Sequence, residues 1–143
     1  MTTGMREEEL FGLKWDAVDL DAAVLEVRDC LFQLAGHGST WGKPKSESSR
    51  RLVPLAPQVV AALREHRDRQ QRERATRLER GQRWEDHDIV FPNRYGGPMN
   101  AANFVRRVHY GLLAEAKLPR VRFHDLRHTA ASLLIDRGVP AKV

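Results

Sequence analysis

Apolar positions along the chain fall into patterns that change period several times. Near the amino end Leu10 and Leu13 give the inner face of a short helix, with Thr3 as its cap and Glu7 and Glu8 in a first turn that favours acids. From Val18 the pattern becomes strand-like: Val18-x-Leu20, a polar turn at Asp21, Val24-x-x-Val27, and the same register from Arg28 to Leu34. This predicts two or three short antiparallel strands. Residues 35–49 are rich in Gly, Ser and Lys, and Leu52-Val53-Pro54-Leu55 then reads as a return strand ended by proline, closing a hairpin with a basic tip.

Helical spacing follows. Pro57 opens a helix that is apolar at Val59, Val60 and Leu63 and almost wholly Arg, Glu, Gln and Asp from there to Arg80, so its far part projects into solvent. Glu65 with Arg69 and Glu73 with Arg77 are i,i+4 pairs that make this a salt-bridged surface helix. Ile89-Val90-Phe91 reads as a short extended segment before a turn through Pro92-Asn93 and Gly96-Gly97-Pro98. Asn100 caps a helix running to about Ala116, with Phe104, Val108, Leu112 and Leu113 facing inward. Leu126, Ala130, Leu133 and Leu134 predict a last short helix, with Gly138 at its C′ position and Pro140 stopping it. The class is α+β, mainly helical, with a small antiparallel sheet of about three strands.

Composition narrows the function. The chain has 143 residues, 30% of them charged, and a net charge of +5, which sets one domain as the upper bound and favours a polyanion as partner, DNA or RNA ahead of an anionic membrane. No apolar run approaches the ~20 residues that span a bilayer, and the amino end carries no hydrophobic signal segment, so the expected location is cytoplasmic. Cys30 is the single cysteine and reads as a small strand residue. His37, His66, His87 and His109 are scattered without carboxylates at ligand spacing, so no metal site and no cofactor are expected.

The candidate chemistry lies in the last predicted helix. His124 and Arg127, three residues apart, place an imidazole and a guanidinium side by side on a face next to the apolar one. Such a pair can grip a phosphate and move a proton beside it. Alone, the spacing is common, and an exposed polar helix face explains it better.

Three ordered phrases change that balance. Thr3-Gly4-Met5-Arg6-Glu7-Glu8-Glu9-Leu10 with Gly12-Leu13-Lys14-Trp15, then Pro44-Lys45-Ser46 with Ser49-Arg50-Arg51-Leu52-Val53-Pro54-Leu55, then Phe123-His124-Asp125-Leu126-Arg127-His128-Thr129 through Ile135, together resemble the catalytic domain of tyrosine recombinases of the phage-integrase family. The resemblance covers nearly the whole chain. It implies site-specific DNA breaking and rejoining without metal or nucleotide cofactor, on double-stranded DNA and alongside further recombinase protomers. By the same resemblance Arg6 and Arg127 would clamp the scissile phosphate, His124 would assist proton movement, and Lys45, with Lys43 as rival, would be the general acid for the leaving 5′ oxygen. Glu9 would orient Arg6. The types suit the roles, since arginine stays protonated and bonds bidentately, whereas a lysine on a hairpin tip can give up a proton.

The family pattern continues, after this helix, with a second phosphate-contacting His or Trp and then the nucleophilic tyrosine. Tyr95 and Tyr110 are the chain's tyrosines, and both precede His124, so no nucleophile is assigned. Few residues precede the Thr-Gly-x-Arg phrase, where relatives carry a helical DNA-binding domain. Residues 1–143 are therefore expected to be an incomplete catalytic domain, lacking both the amino-terminal DNA-binding domain and the tyrosine-bearing helices, and inactive alone. The alternative is a non-catalytic DNA-binding or regulatory remnant of an integrase.

Overall fold

Glycine at position 4 decides where the first helix starts. Its φ is +59°, a left-handed conformation incompatible with a helix capped at Thr3, and α1 spans Glu7–Phe11 instead. These assignments come from a computed structural model that describes residues 3–34, 38–43 and 50–126. Within them the chain divides into two compact units. One is continuous, residues 8–99; the other joins residues 3–7 to residues 100–126.

In the continuous unit the end of α1 runs against a strand. A Cβ on Gly12 would lie 2.7 Å from the Leu31 backbone nitrogen and 2.9 Å from the Cys30 Cα, so only glycine permits this approach. Strands β1 (Val18–Asp19), β2 (Val24–Val27) and β5 (Arg51–Pro54) form an antiparallel sheet in the order β1-β2-β5. The Asp19 carboxylate closes the β1–β2 turn by accepting from the backbone N–H groups of Asp21 (3.0 Å) and Ala22 (2.8 Å). Alternation on β2 buries Leu25 and Val27.

The second hairpin departs from expectation. β3 (Cys30–Leu34) pairs not with the return strand but with β4 (Gly38–Gly42), in a register from Cys30 opposite Gly42 to Leu34 opposite Gly38. A strand thus lies inside the Gly- and Ser-rich stretch read as a loop. Cross-strand partners, Trp41 beside Leu31 and Gln33 bonding Ser39 at 2.6 Å, override the weak strand propensity of Gly38-Ser39. β5 pairs with β2, and Lys45 lies outside the described residues.

Helix α2 spans Pro57–Glu79, with Pro57 in its first turn as expected. Leu63 is its buried apolar anchor. Beyond it, polar hooks fasten the helix. Gln70 accepts from the Trp15 indole at 2.6 Å and donates to the Ile89 carbonyl at 2.9 Å, and the His66 Nε2–H donates to the Val90 carbonyl at 2.6 Å. Ile89 and Val90 are buried and join Leu13 and Trp15 through backbone bonds, with Val90 N–H donating to the Leu13 carbonyl and Trp15 N–H to that of Asp88. Each large apolar side chain withdrawn here contributes about 1.5–3 kcal/mol before ordering costs. Further out, Arg77 lies 3.6 Å from Glu73, an ion pair the spacing predicts.

In the discontinuous unit Asn100 caps α3 (Ala101–Phe104), its side chain accepting from the Asn103 N–H at 2.9 Å. Val105–His109 then forms a π turn before α4 (Tyr110–Glu115). That turn holds one residue more than an α-turn, so positions beyond it slip by one. Of the expected inner set Phe104, Val108, Leu112 and Leu113, the first and last stay inward and His109 replaces the other two: Val108 and Leu112 are 42% and 59% exposed, whereas His109 is 7% exposed. No helix among the described residues is long and apolar enough to cross a membrane.

Candidate functional site

The predicted site residues divide between the two units and the residues outside the description. Arg6 and His124, from opposite parts of the sequence, fall in the same discontinuous unit, and both are exposed. Arg6 precedes α1 directly. His124 sits in a tight turn whose backbone closes through Asp125 N–H to the Arg122 carbonyl (3.0 Å) and Leu126 N–H to the Phe123 carbonyl (3.2 Å), with helix beginning at Asp125. Arg122 braces the turn by donating to both Asp125 carboxylate oxygens, at 2.9 and 3.3 Å, and Asp125 in return holds the Arg122 guanidinium above its ordinary pKa. Arg127 and Lys45 lie outside the described residues.

Glu9 belongs to the continuous unit, in α1, and is 1% exposed. There it accepts a two-pronged bond from Arg51 at the start of β5, Nη1 to Oε1 at 2.9 Å and Nη2 to Oε2 at 2.8 Å. Arg51 was not among the predicted site residues. Its signal was nevertheless present, because Arg51, Val53 and Leu55 share one side of an alternating strand whose other side shows Leu52 at 69% exposure. An arginine on that inner side requires a buried anion. The hydrogen bond from Arg51 to Glu9 raises the arginine pKa above its ordinary value, against the opposing effect of burial.

The turn bearing His124 has a second support, also missed from sequence. His109 in the π turn donates through Nε2 to the Val121 carbonyl at 2.8 Å, and its ring meets Phe123 edge-on at 5.2 Å between centroids. Phe104 also meets Phe123 edge-on, at 5.7 Å. The tyrosines are engaged elsewhere. Arg94 stacks on Tyr95 and donates to its hydroxyl, while Arg120 lies over the Tyr110 ring at 4.0 Å. Among the described residues no group of three or more His, Cys, Asp or Glu is placed to hold a metal ion.

One compact unit carries an exposed arginine and histidine and the other a buried carboxylate–guanidinium pair, in an α+β chain of net charge +5. Comparison with known proteins narrows this class. The phage integrase family pattern matches residues 1–143, and the chain belongs to that family. It is 33% identical to a XerC-like tyrosine recombinase of Caldanaerobacter subterraneus over 98% of its own length and 38% of the relative's. It is 35% identical to an integrase of Streptomyces ambofaciens, again over 98% of the chain and 36% of the relative. The chain thus spans little more than a third of the length of these curated relatives. Among solved structures, the Tn1549 transposon integrase in complex with circular intermediate DNA shares the fold at a TM-score of 0.75 and 23% identity, covering 96% of this chain and 45% of that one. The XerA recombinase matches at a TM-score of 0.66 and 27% identity, covering 95% and 40%. The tyrosine-recombinase catalytic fold is therefore the fold of this chain.

Proposed function

We propose that these residues are the phosphate-binding part of a site-specific tyrosine recombinase acting on double-stranded DNA. The observation that carries the reading is that Arg6 and His124, from two widely separated family phrases, are exposed side chains of one compact unit. In the proposed division of roles Arg6 and Arg127 hold the non-bridging oxygens of the scissile phosphate, His124 holds or moves a proton beside it, and Lys45 protonates the departing 5′ oxygen. Glu9 serves as the orienting carboxylate for Arg6, and Arg51 anchors Glu9. The nucleophile is not among the 143 residues: Tyr95 and Tyr110 precede His124 and are engaged by arginines. Assembly with further recombinase protomers belongs to the same proposal.

The test uses the chain with duplex DNA of mixed sequence. Binding should weaken steeply with salt, because it rests on phosphate contacts, and no protein–DNA adduct should survive denaturation. Arg6→Ala and His124→Ala should each weaken binding about tenfold, the scale of one charge-assisted contact. Salt-independent binding would overturn the phosphate reading. A denaturation-resistant adduct lost in Tyr95→Phe or Tyr110→Phe would overturn the assignment of the nucleophile.

A further inference from the structure

Glu9 and His109 are the buried polar side chains among the described residues. Glu9 has Arg51, but among the described residues His109 has no charged partner, and it has no role in the reading above. Its position is unusual for a histidine: the π turn brings it into the inner row, where the sequence pattern offers Val108, and leaves the valine exposed. Inside, its Nε2–H reaches the Val121 carbonyl at 2.8 Å, three residues before His124. Its ring packs edge-on against Phe123, the residue directly before His124, and Phe104, in the same inward row, makes a second edge-on contact with that ring. The segment from 119 to 122 has no helix or strand of its own. Holding points on the chain there must come from side chains.

From this geometry we infer that His109 is a positioning residue for His124. It fixes the backbone at Val121 by a hydrogen bond and the Phe123 ring by packing, and between them these set where the His124 imidazole stands. A valine at 109 would supply packing but no donor for the carbonyl. The imidazole does both, which explains why a register slip that buries a histidine in place of a valine is tolerated. The inference rests on the proposed reading of His124 as a phosphate-facing group.

The experiment is a double-mutant cycle in the 143-residue chain, read by affinity for duplex DNA of mixed sequence. His109→Phe keeps a ring against Phe123 and removes the donor; it should lower affinity about fivefold. His109→Gln, whose amide nitrogen reaches nearly as far as Nε2, should restore it. In a His124→Ala background the His109→Phe change should have no further effect, because positioning acts through the missing imidazole. Equal loss in both backgrounds marks His109 as merely structural and overturns the inference. Should His109→Phe fail to fold, Phe104→Leu loosens Phe123 by removing its other ring contact. It must then produce the same loss, confined to the background that retains His124, and full affinity in it overturns the inference. Unchanged affinity in His124→Ala alone is a different result: it overturns the reading of His124, and faster amide exchange at Phe123–Asp125 in His109→Phe or Phe104→Leu then decides whether the hold on that turn exists.

Discussion

Arginine 51 shows how one side chain can matter through the carboxylate it holds. Its two-pronged bond holds a carboxylate that is 1% exposed, and removing one partner of such a pair costs about 3–5 kcal/mol, far more than the pair contributes relative to an apolar replacement. Arg51→Met should therefore lower the urea midpoint strongly, and adding Glu9→Gln should recover part of the loss. Recovery of nothing would mean that the pair is not the source. The pH dependence has a definite sign. Folding raises the arginine pKa above its ordinary value, so the stability it contributes is fully present below that ordinary value and is lost only as pH rises beyond the folded one. Urea midpoints of wild type and Arg51→Met should stay a constant distance apart from pH 7 to pH 10; convergence toward the alkaline end would contradict the raised arginine pKa. Gly12 is a second residue of this kind. Gly12→Ala drives a Cβ into the Cys30–Leu31 backbone and should cost about 1–3 kcal/mol by thermal melting.

At the scale of elements, α2 was legible in full because proline, an apolar start and a charged remainder each have one local meaning. What fastens it was not. Gln70 sits amid charged neighbours in sequence, yet it bridges the Trp15 indole and the Ile89 carbonyl. Gln70→Ala should destabilise by about 1–3 kcal/mol, through loss of two bonds at a partly buried site. Arg72→Ala, on the exposed side, should stay within about 0.5 kcal/mol. Equal effects in thermal melts would contradict the docking of α2 through these hooks. β4 was illegible for a related reason: Gly38-Ser39 has only weak strand preference until Leu34 and Gln33 lie opposite it. The Val105–His109 turn was illegible because periodicity assumes a constant number of residues per turn.

For the whole molecule, the three family phrases carried Arg6, Glu9, Lys45, His124 and Arg127 without any geometry, since they depend on residue type and order alone. Arg51, which holds Glu9, and His109, which holds Val121 and Phe123, depend on contacts between distant segments, and local patterning cannot express these. The net charge of +5 belongs to this scale as well. It predicts that DNA affinity follows ionic strength across the whole chain, with Arg127→Ala losing about tenfold and Arg77→Ala, already paired with Glu73 on α2, less than twofold. Equal losses would disperse the binding surface over the molecule. Chain length itself is adjustable at one place. Because Val105–His109 accommodates a surplus residue, deleting the exposed Arg106 or Arg107 should turn the stretch from Ala101 to Glu115 into an uninterrupted α-helix with Phe104, His109 and Leu113 still in phase. The π turn is thus a point where the gene could gain or lose a single codon while the inward face of the helix stays the same.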